Sequence, residues 1–505
     1  MATGREESDG RIVPQDRRKA APTAAVGRGG KATTASERAG QLELFRETAE
    51  NPEGADDRAD GGLPPSARHE APKSRTTTGS ALPAMTMEEV ACEGNLRRAF
   101  GKVASNQGAP GPDRQTIEMV ARHLEEVLPT LRVELLQGSY QPGMIRRVWI
   151  PKPGGGERGL GIPNVVDRIV QQAVHQVLNP HHDPDFHESS HGFRPERSCH
   201  TAIAEARRHL TEGHEWVVDI DLSKFFDRVH HERLLARLGR KVQDRRLLLL
   251  IRRMLKAKVV MPDGVVVSTE AGTPQGGPLS PLLSNIVLDE LDREIERRGH
   301  RFVRYADDCN IYVRSKRAGD RVMASLVRFI EGRLKLKVNA EKSAVARPEE
   351  RHFLGFALRP EPLEDTVEVL LSRRSKDRID EKVRELTPRT WGRSLRDCIR
   401  QVNRYLRGWI GFFGICTEAE VRKLHNLDAH IRRRLRAIVL RHWSRRRRRG
   451  VPHGEGSWWN RAWKMNNALP NAFFARRGLL SLEAEWRRRQ PWHVTASAQL
   501  TLGWT

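Results

Sequence analysis

The sequence predicts an α+β fold followed by a helical, strongly basic region. Three observations point there. Apolar residues recur at spacings of three and four in some stretches and form short β-prone runs in others, without the steady βαβ rhythm of a doubly wound sheet. From about residue 375 the strand-like runs give way to helical ones, and residues 391–450 hold 17 Lys or Arg against 4 acids. The chain has 505 residues, too many for one ordinary domain and enough for two or three.

Each element follows in order. Residues 1–85 are rich in Gly, Ala, Pro, Thr, Ser and charge, with 13 basic and 13 acidic residues, and are expected to be a disordered tail. Leu42, Leu44 and Phe45 interrupt it, either as a docking element or as an apolar accident. Met87 to Phe100 and Ile117 to Leu136 read as helices, separated by the turn-rich run Asn106 to Asp113. Val148 to Pro151 reads as a strand and Lys152 to Arg158, KPGGGER, as its hairpin turn. Asp167 to Leu178 is helical, Trp216 to Leu222 a short β run, and Leu234 to Lys256 helical. Val265 to Ser268 is a further strand, Pro281 to Arg297 a helix, and Phe302 to Val313 two strands around a tight turn. The basic region interleaves aromatics: Trp391, Tyr405, Trp409, Phe412, Phe413 and Trp443.

Composition excludes several classes. No run of about 18 apolar residues suggests a membrane span, and the N-terminal residues do not resemble a secretory signal. The five cysteines form no C-x-x-C pair, against a disulfide framework or a cysteine zinc site. A reducing cytoplasm is the expected compartment. The net charge of +24 favours a polyanionic partner, nucleic acid ahead of an anionic membrane surface.

Two acidic segments carry the chemistry. In Tyr305-Ala306-Asp307-Asp308 adjacent acids sit between two β-prone runs. Adjacent carboxylates repel and are costly to bury, and Mg²⁺, a hard cation, removes the conflict. A solvated turn is the rival reading. In Asp219-Ile220-Asp221-Leu222 an acid again ends a β run. Acids from two segments can hold a pair of Mg²⁺ ions about 3.5–4 Å apart that clamps an in-line phosphoryl displacement. Asp221 and Asp307 are the candidates to bridge both ions, with Asp308 a weaker ligand. Asp219 would share the side of Asp221 and shape the local field.

These segments resemble the catalytic palm of reverse transcriptases. Gly272 to Asn285, containing Pro274-Gln275-Gly276-Gly277, resembles their Pro-Gln-Gly loop and the helix after it. His191-Gly192-Phe193-Arg194-Pro195, Leu336 to Ser343 and Phe353-Leu354-Gly355-Phe356 resemble three further blocks of bacterial retroelement enzymes. The Gly108 to Asp113 loop, Ile150 to Pro163 and Leu406 to Gly414 narrow the resemblance to group II intron-encoded reverse transcriptase–maturases, without the His-Asn-His endonuclease that some carry.

The resemblance implies a right-hand polymerase fold. Fingers and palm would occupy 86–365, an all-helical thumb or maturase domain 366–450, and a C-terminal extension 451–505. It implies RNA-directed DNA synthesis with Mg²⁺ held by Asp221, Asp307, Asp308 and the Leu222 backbone carbonyl. The deoxynucleotide would meet Lys152, Arg158, Gln275, Gly276 and Lys342, with Phe226 as an aromatic gate under the sugar. Arg432, Arg433, Arg436, Arg445, Arg446 and Arg447 would hold intron RNA through its phosphates. Partners would be the intron RNA, an RNA template and a DNA primer or target, in a cytoplasmic ribonucleoprotein. Two alternatives stand beside it: a splicing factor without polymerase activity, and a reverse transcriptase of a defence or diversity-generating system.

Overall fold

A computed structural model describes residues 84–151, 155–269, 271–273, 275–361, 366–448 and 468–490, without the side chains of 445–448. The tail to residue 83, including Leu42, Leu44 and Phe45, and most of the segment after 450 lie outside the described residues.

The two N-terminal helical runs are each broken once. The first forms α1 (Met87–Val90) and α2 (Glu93–Ser105), and the second α3 (Ile117–Arg122) and α4 (Leu124–Gln137). At the first break Asn95 Nδ2 donates to the carbonyls of Val90 and Ala173, both at 3.1 Å, satisfying a group the interrupted helix frees. The expected hairpin pairs β1 (Ile145–Pro151) with β2 (Glu157–Ile162), and Glu157 and Arg158, expected in its turn, belong to β2. Next come α5 (Val165–His182) and α6 (Cys199–Thr211), the latter opened by a Ser198–Thr201 capping box. Strand β3 (Trp216–Ile220) leads into a short α7 (Phe225–Arg228).

The single helix expected over Leu234 to Lys256 is two, α8 (His231–Leu238) and α9 (Arg245–Leu255). The cause is Asp244. Its carboxylate accepts from Arg246 N at 2.8 Å and Leu247 N at 3.4 Å, restarting the helix, and also from Met87 N at 2.8 Å. Then follow β4 (Val259–Val260), β5 (Val266–Val267), α10 (Ser280–Arg297), β6 (Arg301–Tyr305), β7 (Asp308–Val313), α11 (Lys316–Phe329) and β8 (Ala344–Ala346). A hairpin not expected from the sequence pairs β9 (Phe356–Glu361) with β10 (Thr366–Leu371), so the region expected to be all-helical from 366 opens instead with a strand. The remaining helices are α12 (Arg373–Leu386), α13 (Leu395–Phe413), α14 (Val421–Arg448), α15 (Asn471–Ala475) and α16 (Leu482–Arg489).

The fingers-side sheet has the order β2-β1-β4-β5 and the central sheet β6-β7-β3-β8. Alternation along the central strands serves two cores. Val218, Ile220, Phe302, Cys309 and Ile311 face a core shared with α5, α9 and α10. Val217, Val303 and Tyr312 face a second core built with α6, the β9–β10 hairpin and the C-terminal helices. Trp409, Phe412 and Phe413 are buried there, so these aromatics of the basic region are core. No helix among the described residues is long and apolar enough to cross a membrane.

Candidate active site

The acids meet because of strand register. Strand β3 runs antiparallel to β7 with Ile220 opposite Cys309, so one step further Asp221 comes up beside Asp308. Strands β6 and β7 close on the pair Tyr305–Asp308, leaving Ala306 and Asp307 as the turn. A period of two places Asp219, Asp221 and Asp308 on one side of the sheet, with Asp307 at the turn. All four line a cavity of about 1850 Å³, together with Arg158, Phe226, Gln275, Gly276 and Lys342.

The carboxylates perturb one another. Desolvation, then the charges of Asp307, Asp219 and Asp221, push the Asp308 carboxyl up to about 7. Desolvation also raises Asp307, against the pull of Arg158 and Arg304. Asp219 is raised by desolvation too, although Arg351 Nε donates to its Oδ2 at 2.9 Å and a second guanidinium bond reaches the same oxygen. Asp219 therefore already has a cationic partner. Among the described residues, the ion-pair partner of Asp221 is Lys342 Nζ, 3.7 Å from Oδ2 and largely in solvent.

Asp221 is fixed through its backbone. Asn339 N donates to Asp221 O at 2.8 Å, Ser223 N to Lys337 O at 2.7 Å, and Asp221 N to Ser343 Oγ at 3.0 Å. Leu222 thus faces Val338 as a bridge pair whose neighbours make the bonds, so its carbonyl is not spent on that strand. The Gln275 loop is tied to the fingers hairpin by Gly161 N donating to Gln275 O at 2.8 Å. Gly276 has φ +117°, and a Cβ there would stand 2.9 Å from Gly161 O. Phe226 is half-buried against the cavity, whereas Phe225 is 2% exposed and core.

The sequence reading assigned Arg304 no role, and the structure gives it one. It is fully buried, and its guanidinium donates to Asp292 Oδ1 (2.7 Å) and Oδ2 (2.5 Å), Ser190 Oγ (2.7 Å), Asn285 Oδ1 (3.0 Å) and Ala306 O (2.9 Å). One side chain so ties α10 and the His191 segment to the turn that carries Asp307. The turn itself rests on Gly192, where a Cβ would stand 2.4 Å from Ala306 N. Ala306 holds φ +55°, uncommon for a residue with a Cβ.

Other expected site residues fall elsewhere. Lys152 and the side chains of Arg445, Arg446 and Arg447 lie outside the described residues. Arg433 is exposed and Arg432 half-buried. Arg436, expected on RNA, is turned inward: it is 6% exposed, and donates through Nε to Leu469 O and through Nη2 to Asn471 Oδ1, both at 2.9 Å. Its place is the interior of the C-terminal core.

Comparison with known proteins gives the family. Residues 150–358 fit the reverse transcriptase (RNA-dependent DNA polymerase) family, and residues 376–454 the group II intron maturase-specific domain. Protein YkfC of Escherichia coli (strain K12) is 36% identical over 304 residues, covering 52% of this chain and 80% of that protein. The group II intron-encoded protein LtrA of Lactococcus lactis subsp. cremoris is 31% identical over 301 residues, 46% of this chain and 50% of that protein. The chain belongs to the group II intron reverse transcriptase–maturases. The two acidic segments of this reverse transcriptase lie inside the polymerase match, and α13 and α14 lie inside the maturase match. The chain spans about half the length of LtrA. A solved partial Cas6-RT-Cas1–Cas2 complex is 25% identical over 48% of this chain and 42% of that one, at a TM-score of 0.33, too loose a superposition to bear on the reading.

Proposed function

We propose that this chain copies RNA into DNA at Asp221, Asp307 and Asp308, and that its helical region holds the parent intron RNA. The observation that carries the catalytic assignment is the convergence of three carboxylates, from two chain segments, in one cavity, with the Asp307 and Asp308 carboxyls raised by burial and by neighbouring carboxylates. Among the described residues no three His, Cys, Asp or Glu side chains are already drawn around one point. The donor set nevertheless suits a hard divalent cation: carboxylate oxygens and the Leu222 carbonyl are Mg²⁺ ligands. Magnesium, when bound there, would supply the positive charge that lowers the cost of nucleophilic attack on the α-phosphate and of pyrophosphate departure.

The remaining roles belong to the chain. Arg158, near the turn end of the fingers hairpin, lines the cavity with the acids and can donate to the triphosphate, with Lys152 assigned to the same role. Gln275 and Gly276 bring backbone close to the nucleotide. Phe226 beneath the sugar would exclude a 2′-hydroxyl sterically, and Lys342 would meet phosphate. Fingers and palm are assigned to 86–365, thumb to 366–450 and an extension to 451–505. Arg432 and Arg433, with Arg445 to Arg447, are assigned to intron RNA, and the working form is a cytoplasmic ribonucleoprotein. The test is primer extension on an RNA template with Mg²⁺, beside an intron-RNA binding assay. Asp307→Ala and Asp308→Ala should abolish extension and spare RNA binding. Extension by either variant at the wild-type rate would overturn the assignment.

A further inference from the structure

The motif His191-Gly192-Phe193-Arg194-Pro195 has a feature that the catalytic reading leaves unused. Phe193 is 40% exposed, and of the described residues it is the one large exposed apolar side chain that lines the catalytic cavity. Its backbone sits at φ +61°, a conformation that bulky residues avoid. Its ring lies 6.5 Å from that of Tyr305, the residue that opens the acidic turn.

Both flanks of Phe193 are locked. On one side Asn285 Nδ2 donates to Gly192 O at 2.9 Å, and Gly192 abuts the Ala306 backbone. On the other, Arg194 is spent inward: Nε donates to Asp183 Oδ1 (2.9 Å), Nη1 to the carbonyls of His187 (2.7 Å) and Ser190 (2.9 Å), and Nη2 to Asp183 O (2.8 Å). The arginine of this motif is therefore the lock rather than a phosphate ligand. What the motif offers to the cavity is a ring, held in an unfavourable backbone conformation by neighbours that leave it no other. An apolar face exposed at that cost is preorganised for something flat and apolar, and nucleic acid supplies it in its bases.

We propose that Phe193 is a stacking platform for a nucleobase of the template–primer duplex beside the acidic turn. The inference rests on the polymerase reading. Stacking on an aromatic ring tolerates every base, as a copying enzyme requires.

The test uses the full chain and an RNA template annealed to a DNA primer, with 2-aminopurine placed at successive positions first in the template and then in the primer. Binding should change the fluorescence at one position, and the responding strand identifies which base stacks. Phe193→Leu should remove that response and weaken duplex binding about tenfold, a step of about 1.4 kcal/mol. Phe193→Tyr should retain both. Phe193→Gly separates a ligand role from a structural one, because glycine accepts the backbone conformation without strain. Its melting temperature should hold or rise while duplex affinity falls. Wild-type duplex affinity in both Phe193→Leu and Phe193→Gly, or a response in neither strand, would overturn the proposal. If the wild type extends no primer but the fluorescence response persists, the polymerase reading fails and the platform stands.

Discussion

Arg304→Lys probes the link between the buried ion pair and the acidic turn. The native guanidinium makes five hydrogen bonds from a position with no solvent contact. Lysine keeps the charge but has three donors at one point, and cannot reach Asp292 and Ala306 together in the same fork geometry. At least two acceptors are left unpaired, Asn285 Oδ1 and Ala306 O, which are both served by Nη1, the nitrogen that does not bond Asp292. A buried acceptor without a partner costs about 1–3 kcal/mol, so the loss should be about 3–5 kcal/mol. That is a large part of an ordinary stability of about 5–15 kcal/mol, yet short of unfolding the chain. Denaturant unfolding gives the first number, and primer extension at saturating nucleotide gives the second. Turnover should fall at least tenfold, because Ala306 O loses its donor and the Asp307 turn loosens, while intron-RNA binding persists. A variant within about 1 kcal/mol of wild type with full turnover would refute the reasoning.

Gly276→Ala should raise the KM for deoxynucleotide about tenfold with little effect on intron-RNA affinity, since the added methyl meets Gly161 O and displaces the Gln275 loop; steady-state primer extension reads this. Glu205 sits in a network with His191 Nε2 at 2.6 Å and Ser189 Oγ at 2.7 Å. Burial alone would raise its carboxyl, but the bonds to His191 and Ser189, with His209 Nε2 3.5 Å away, outweigh that and hold it far below its ordinary value of 4.5. A carboxyl depressed in the folded state stabilises above its unfolded pKa, and that contribution is lost as pH falls below about 4.5. Glu205→Gln should therefore flatten the stability profile on the acid side, measured by denaturant unfolding between pH 6 and about 3. Arg433→Ala should weaken intron-RNA binding and reduce its salt slope by about one, whereas Arg436→Ala should destabilise the fold by about 2–4 kcal/mol with an unchanged slope in the folded protein. RNA titrations over a range of salt separate the two.

The acidic hairpin was legible because two β-prone runs were separated by only two residues, and a two-residue connection leaves little choice but a tight antiparallel turn. The fingers hairpin was legible for a similar reason, through its glycines. That Asp221 stands beside Asp308 could not be read from spacing. It depends on the pairing of β3 with β7, a long-range register that resemblance supplied. The break at Asp244 was missed because apolar spacing continues across it, while the decisive contacts are hydrogen bonds to Arg246, Leu247 and Met87. The β9–β10 hairpin was obscured by Pro360, which reads as a breaker but is accommodated in a two-stranded ribbon opposite Val367. Arg436 was counted as surface charge because its partners, Leu469 and Asn471, lie more than thirty residues further along. Arg304 was invisible as a tether for the same reason: a buried ion pair is defined by what surrounds it, not by what precedes it.

The core behind the central sheet does not end where the polymerase match ends. Val217, Val303 and Tyr312 are covered by α6 and share one continuous core with the β9–β10 hairpin and the helices of the maturase match, so the two matched regions are joined through a common interior. Cutting the gene near residue 375 would bare Phe356 and the apolar side of the β9–β10 hairpin, which packs on Phe412 and Phe413, and yield an insoluble half rather than a minimal polymerase. A lineage that gives up DNA synthesis must do so by exchanging side chains at the acidic turn, and its descendants will keep the whole architecture long after the activity has gone.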